Sequence, residues 1–470
     1  MRKSKEQQKR EGGVQMTIFD FPAKESTPDT SGRTGQGQGA RAELLSRLEN
    51  QRTLTTNILE DVADLVNLNR AYKQVRSNKG SGGIDNMDTL ELRHWLGKNI
   101  NEMRQEILTE TYEVSPVRKV EIPKPNGGVR MLGIPTVKDR FVQQAIHQQL
   151  SIYYDPNFSE HSYGFRPGRS AQQAILQASA YIKEGKEWVV DIDMAKFFDK
   201  INHDRLMQRL SKGIGDKRLL RLINAYLKAG MMSDGLTEQR TAGTPQGGPL
   251  SPLLSNIVLD ELDKEIESRG LSFCRYADDC NIFVKSRKAG ERIMASLVKF
   301  IEEKLKLTVN RDKSGVRHCS QVKFLGYTCL SGGGIRVADK SIMRLKEKVR
   351  EITRRNRGVR FAQVIDELNQ AIRGWTNYFS LANSWLADLR GLDGWIRRKL
   401  RCYRLKQSGR RYTIVKLLTG LGISLQKSWN VVMYTQGWWA MTKKIAVGHA
   451  MNLKWFAEAG LLSIAARFQV

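Results

Sequence analysis

Two adjacent acids set inside an apolar run constrain this chain more than any other feature. Phe273-Cys274-Arg275-Tyr276-Ala277-Asp278-Asp279-Cys280-Asn281-Ile282-Phe283-Val284 reads as a strand, a tight turn and a second strand, because β-forming residues flank a small residue and two aspartates. The Asp278–Asp279 pair then sits at a hairpin tip. Side-by-side carboxylates repel, and burying them unpaired is costly. A solvated turn would account for the pair, since Asp is an ordinary turn residue. Magnesium would account for it too, because this hard cation takes one or two carboxylates together with substrate phosphates. A third acid in a matching setting decides between the two.

That acid is present. Trp188-Val189-Val190-Asp191-Ile192-Asp193-Met194-Ala195-Lys196-Phe197-Phe198-Asp199 is a short apolar strand ending in acids and followed by an aromatic pair. Laid beside the 273–284 hairpin, a strand ending in Asp193 puts three carboxylates at one rim. Two magnesium ions held this way activate an attacking oxygen and stabilise a leaving one in phosphoryl transfer. Tyr-Ala-Asp-Asp at 276–279, together with Asp-x-x-x-Phe-Phe-Asp at 193–199, resembles the catalytic palm of reverse transcriptases.

The 470 residues allow two or three domains. Lys and Arg number 77 against 49 acids, a formal charge of +28, which speaks about partners rather than fold. Nucleic acid suits a carboxylate–metal site better than an anionic membrane does. No stretch is long and apolar enough to span a bilayer, and the basic N-terminus runs into Glu-Gly-Gly rather than a signal core. Cys274, Cys280, Cys319, Cys329 and Cys402 form no Cys-x-x-Cys pair. That argues against zinc or a disulfide framework and for a reducing cytoplasm.

Residues 1–43 are poor in core formers and read as a disordered polar tail. Helical spacing follows at Ile58, Val62, Leu65 and Val66, then a glycine-rich loop at 78–85. Val117–Lys124 and Val129–Pro135 read as strands around Pro125-Asn126-Gly127-Gly128, with Lys124 and Arg130 bracketing the turn. His161–Ser170 is a loop with two arginines, and Ser170 is placed to cap the next helix. Thr244-Pro245-Gln246-Gly247-Gly248-Pro249 breaks regular structure and allows close backbone approach. An amphipathic helix follows the hairpin, with Ile293, Leu297 and Ile301 on one face. Residues 341–420 hold 19 Lys and Arg against 6 acids, interleaved with helical apolar faces. Seven of the nine tryptophans lie at or after Trp375; these aromatics read mostly as bundle core, while the interleaved Arg and Lys read as an RNA-facing side, since cations grip phosphates and aromatics can stack unpaired bases.

In this order, over roughly residues 55–455, the motifs are similar to those of group II intron-encoded reverse transcriptases and maturases. The run Gly394-Trp395-Ile396-Arg397-Arg398-Lys399-Leu400-Arg401 looks most like their bacterial C-type branch, and nothing resembles the endonuclease domain of related proteins. The resemblance implies an α+β, right-hand polymerase fold. It would comprise an N-terminal extension (44–110), fingers and an antiparallel-sheet palm with covering helices (111–335), a helical thumb or maturase domain X (336–420) and a basic-aromatic C-terminal segment (421–470). It implies two magnesium ions on Asp193, Asp278, Asp279 and the Met194 carbonyl, with Asp191 a neighbour. Lys124, Arg130, Phe198, Gln246 and Lys313 would meet the nucleotide; Arg166, Gly247, Phe324, Leu325 and Gly326 would meet primer and template. Arg354, Arg355, Arg397, Arg398, Lys399 and Arg401 would face RNA. Implied partners are the intron RNA as a ribonucleoprotein, an RNA template with a DNA primer, deoxynucleoside triphosphates and target DNA, with no membrane, in a bacterial cytoplasm. Two other readings stay open: an RNA-binding splicing cofactor whose polymerase is dispensable, and a host-adopted reverse transcriptase in defence or repair.

Overall fold

A computed structural model describes residues 56–123, 129–233, 236–238, 243–244, 247–383 and 386–468. The N-terminal tail, Lys124 and Gln246 lie outside these residues.

The described chain begins with α1 (Ile58–Val62), α2 (Leu65–Asn78) and α3 (Glu91–Leu108). The Asp64 carboxylate accepts hydrogen bonds from the Val66 and Asn67 amides and so starts α2 as a fresh helix. This resets the helical phase. The buried face is Leu68, Ala71, Tyr72 and Val75, while Val66, read above as part of the apolar spacing, is 53% exposed.

A first sheet is ordered β2–β1–β4–β5. It pairs β1 (Val117–Pro123) with β2 (Val129–Ile134) antiparallel, and β1 with β4 (Met231–Ser233) parallel; β5 (Leu236–Glu238) lies outermost. Helices α4 (Val137–Tyr154) and α5 (Ala171–Lys183) follow β2. Ser170 caps α5, as the sequence implies, and Gln173 completes a reciprocal capping box.

The central sheet is antiparallel throughout, in the order β6–β7–β3–β8: β6 (Ser272–Tyr276), β7 (Asp279–Val284), β3 (Trp188–Asp193) and β8 (Gly315–His318). Side chains alternate across it. Val190, Ile192, Cys280 and Ile282 enter the largest core. There they join apolar residues of α7 (His203–Gly213), α8 (Lys217–Lys228), α9 (Ser251–Ser268) and α10 (Arg287–Lys299), α6 (Phe197–Lys200) being a single turn after β3. Val189, Cys274 and Phe283 face a second cluster with α5 and the ribbon of β9 (Tyr327–Cys329) and β10 (Ile335–Val337). Asp191 and Asp193 alternate onto that second face.

The rest is helical: α11 (Asp339–Ile352), α12 (Phe361–Tyr378), α13 (Leu386–Ser408), α14 (Arg411–Gly420), α15 (Leu425–Met433), α16 (Trp438–Met441), α17 (Ile445–Ala450) and α18 (Leu453–Glu458). One core runs from Leu345 to Ala465. The boundary expected at 420 therefore has no counterpart in the packing: residues 421–468 complete the bundle that α11–α14 begin. Among the described residues, no helix is long and apolar enough to cross a membrane.

Candidate active site

Register brings the acids together. β3 pairs with β7 so that Asp193 stands directly opposite Asp279, and Asp191 opposite Asn281. Residues opposite one another in an antiparallel pair project from the same face. Tyr276 pairs with Asp279, which leaves Ala277-Asp278 as a two-residue loop with Ala277 at φ 58°. Asp191, Asp193 and Asp279 thus share one face, and Asp278 sits in the adjoining turn.

Burial pushes the Asp279 carboxyl up to about 7, and the charges of Asp191, Asp278 and Asp193 push the same way. Asp191 is raised to about 6 by burial, against the pull of Arg317, whose Nη1 lies 3.0 Å from its Oδ2. That ion pair fits a neighbour rather than a ligand. Lys313 Nζ lies 3.3 Å from Asp193 Oδ2, so this predicted nucleotide contact is at the acid cluster. Asn310 N donates to the Asp193 carbonyl and Ala195 N to Thr308, 2.8 Å each, framing the bridge between Met194 and Val309. Those two bonds leave the Met194 carbonyl itself out of the ladder.

Among the described residues, no three His, Cys, Asp or Glu side chains are already gathered tightly enough to cage a metal. Repelling carboxylates close only around a cation, and magnesium leaves part of its shell to substrate phosphates. The donor set here is all hard oxygen and carries excess negative charge, which adds to burial in raising Asp279. It fits magnesium.

The turn is held from behind by residues whose role sequence reasoning missed. Arg275, fully buried, donates from Nε and Nη2 to the two carboxylate oxygens of Asp263 at 2.6 Å. It also donates to Asn256 Oδ1, to Ser162 Oγ and, at 2.9 Å, to the Ala277 carbonyl. The 161–165 loop docks beside β6 through Arg275 N to His161 O and Tyr163 N to Arg275 O. A Cβ on Gly164 would collide with the Ala277 amide nitrogen, so only glycine allows this approach. The visible signal was an arginine inside a strand of otherwise apolar pattern.

Residues 122–329 match the family model described as reverse transcriptase (RNA-dependent DNA polymerase), and residues 342–417 match the group II intron maturase-specific domain. Protein YkfC of Escherichia coli (strain K12) is 34% identical over 301 residues, 55% of this chain and 79% of that protein. The group II intron-encoded protein LtrA of Lactococcus lactis subsp. cremoris is 31% identical over 352 residues, 60% of this chain and 57% of that protein. A putative COX1/OXI3 intron 2 protein of Saccharomyces cerevisiae is 31% identical over 353 residues, 61% of this chain and 41% of that protein. The chain belongs to the group II intron-encoded reverse transcriptase and maturase family. Its enzyme class is RNA-directed DNA polymerase.

In this reverse transcriptase the remaining expected contacts divide. Phe198 is half-buried at the start of α6, and its carbonyl accepts from Thr244 N at 2.7 Å. Gly247 has φ 136°, and a Cβ there would meet the Gly133 carbonyl at 2.9 Å. The glycine loop is thereby pressed against β2. Arg130 is described only as a backbone position in β2, opposite Ile122. Leu325 and Gly326, at φ 51° and 82°, form the tight turn between Phe324 and Tyr327. Tyr378 Oη donates to the Leu325 carbonyl, tying that turn to α12.

Two arginines are engaged within the fold. Arg166, with a side chain 4% exposed, is engaged by the Asp155 carboxylate and by the Asp155, Ser159 and Ser162 carbonyls. It braces the 155–166 loop. Arg401, half-buried, donates from Nε and Nη2 to the Met451 carbonyl at 3.0 and 2.8 Å, capping the C-terminus of α17. Arg354 and Arg355 are exposed, and Arg397 is half-buried. Arg398 lies 3.9 Å and Lys399 4.9 Å from the Trp439 ring centre; Lys406 lies 4.5 Å from that of Trp438. Burial first, then repulsion from Arg350, Arg355 and Arg398, lowers Lys399.

Proposed function

We propose that this chain extends a DNA primer on the RNA of its own intron, and that its thumb holds that RNA during splicing and mobility. The observation that carries the reading is the register of Asp193 opposite Asp279 beside the Asp278 turn. In the proposed reaction the primer 3′-hydroxyl attacks the α-phosphorus of a deoxynucleoside triphosphate, and pyrophosphate leaves. Magnesium, held by Asp193, Asp278, Asp279 and the Met194 carbonyl, would supply activation of the hydroxyl and neutralisation of the leaving group. Arg275 and Gly164 fix the turn that carries two of those acids. Lys313, ion-paired with Asp193, supplies a cation beside the triphosphate. Phe198 walls the sugar side and favours deoxynucleotides by bulk. Catalysis then rests on positioning and charge neutralisation.

Asp278→Ala should abolish cDNA synthesis while melting temperature and intron RNA binding hold. Substantial extension by that purified variant would overturn the reading. The cations stacked on Trp438 and Trp439 favour a second role, RNA-binding splicing cofactor, which coexists with the first. If Asp278→Ala still stimulates splicing, and charge reversal at Arg398 and Lys399 does not, binding suffices for that role.

A further inference from the structure

Two open pockets, of about 410 Å³ and about 330 Å³, lie among the helices and loops around the central sheet. The first lies against the glycine loop and belongs to the site already described. The second is lined from three elements: Tyr153 and Tyr154 at the end of α4, Arg209, Lys212 and Gly213 at the end of α7, and Asp260 and Lys264 on α9, with Phe158 beside them.

Two of its lining residues carry buried polar atoms that the fold leaves without a partner. Asp260 is 4% exposed; its Oδ2 accepts from Arg209 and Lys264 at 2.7 Å each, and its Oδ1 has no partner. Tyr154 Oη is buried and also without a partner. Burial pushes the Tyr154 hydroxyl up, so it stays protonated and can donate. An orphaned buried acceptor and an orphaned buried donor on residues that line one cavity are unfavourable until a ligand that draws them in offers their complements. The rest of the lining is aromatic and cationic. Tyr154 and Phe158 stack at 6.5 Å with an interplanar angle of 21°. Lys212 and Lys264 are exposed. The tyrosines reach this position because residue 213 is glycine: a Cβ there would come within 3.0 Å of Tyr154 Oη and 3.2 Å of the Tyr153 ring.

From this arrangement we infer that the cavity among Tyr153, Tyr154, Phe158, Asp260 and the two lysines binds a nucleotide, its base on the aromatic wall and its phosphate toward Lys212 and Lys264. A nucleobase edge presents a donor beside an acceptor, which answers Asp260 Oδ1 and Tyr154 Oη together, and every base has a face to stack. The volume suits one such unit. The site lies behind the sheet, away from Asp193 and Asp279, and is independent of the polymerase reading.

Calorimetric titration of the full chain without magnesium, with cytidine 5′-monophosphate as probe, tests this. Saturable binding is expected, weakened at least tenfold by Asp260→Asn and by Gly213→Ala, whose methyl pushes on both tyrosines. Ribose 5-phosphate and inorganic phosphate should bind at least tenfold more weakly than the nucleotide. Primer extension by Gly213→Ala should stay within twofold of wild type, which separates failure here from failure of the polymerase assignment. A short single-stranded RNA that displaces the probe identifies the occupant as an extruded base of a bound RNA; a probe displaced only by mononucleotides identifies a free nucleotide. Ribose 5-phosphate binding as tightly as the nucleotide would reduce the cavity to an anion site and overturn the inference. Unchanged affinity in a folded Gly213→Ala variant would overturn it too.

Discussion

At the scale of single residues, the acid cluster is under electrostatic load that a cation relieves. Burial first, then the neighbouring acids, pushes the Asp279 carboxyl up to about 7 in the folded chain, against roughly 3.9 unfolded. Between those values the folded state binds more protons, so this group favours folding at low pH and the benefit is lost as pH rises through about 7. Asparagine has no such proton to lose. Without divalent ions, the melting temperature of Asp279→Asn relative to wild type should climb between about pH 4 and pH 7 and level off above that, and magnesium should narrow the gap at the upper end. Parallel curves would mean that Asp279 carries no such load. Behind it, Arg275 and Asp263 are each fully buried. Arg275→Met strands the Asp263 carboxylate and should cost about 3–5 kcal/mol in denaturant unfolding. Adding Asp263→Leu should return much of that stability. Single-turnover extension should nevertheless stay at least ~10-fold down, because nothing then grips the Ala277 carbonyl.

At the scale of elements, the hairpin is only as well placed as the loop packed against it. Gly164 lets residues 161–165 lie flat beside β6, and a methyl group there meets backbone rather than a yielding side chain. Gly164→Ala should therefore cost ~2 kcal/mol or more and lower the extension rate with it. Gly97 sits inside α3 with nothing within 4 Å of its added Cβ, so Gly97→Ala should instead stabilise by about 0.5–1 kcal/mol. Urea unfolding of the two variants beside primer extension checks both signs. The contrast marks what a sequence displays. The strand ending at Asp193, the Asp278–Asp279 turn and the helix cap at Ser170 were legible, because each is written in neighbouring residues. The exposure of Val66 was not, because the Asp64 cap shifts the helical phase without breaking the apolar spacing. Nor were the fates of Arg166 and Arg401. An arginine looks the same in sequence whether its guanidinium meets solvent or a carbonyl, and Met451 lies 50 residues beyond Arg401.

At the scale of the molecule, the chain has separate cores, and the helical one does not close before residue 420. Val431, Val432, Met441, Val447, Phe456 and Ile464 pack into the same cluster as Leu345, Val364, Leu368, Ile396 and Leu400. Polar bonds reinforce the join. The buried Asp393 carboxylate accepts from the Ile464 and Ala465 amides and from Ser463 Oγ, while Asn369 exchanges bonds with Gly460 O and Leu462 N. The same C-terminal residues supply Trp438 and Trp439, on which Arg398, Lys399 and Lys406 rest. A chain ending at 420 would expose the apolar faces of α12 and α13 and leave Asp393 and Asn369 without those partners. It should melt in two steps, the thumb first and at least ~10 °C below its temperature in the full chain, and should lose most intron RNA affinity. Trp438→Ala with Trp439→Ala in the full chain separates fold from grip. The fold should survive in part, while RNA affinity falls and its dependence on salt flattens as the released cations lose their fixed positions. A truncated chain whose thumb melts as in the full protein would restore the division at 420 that the sequence suggested.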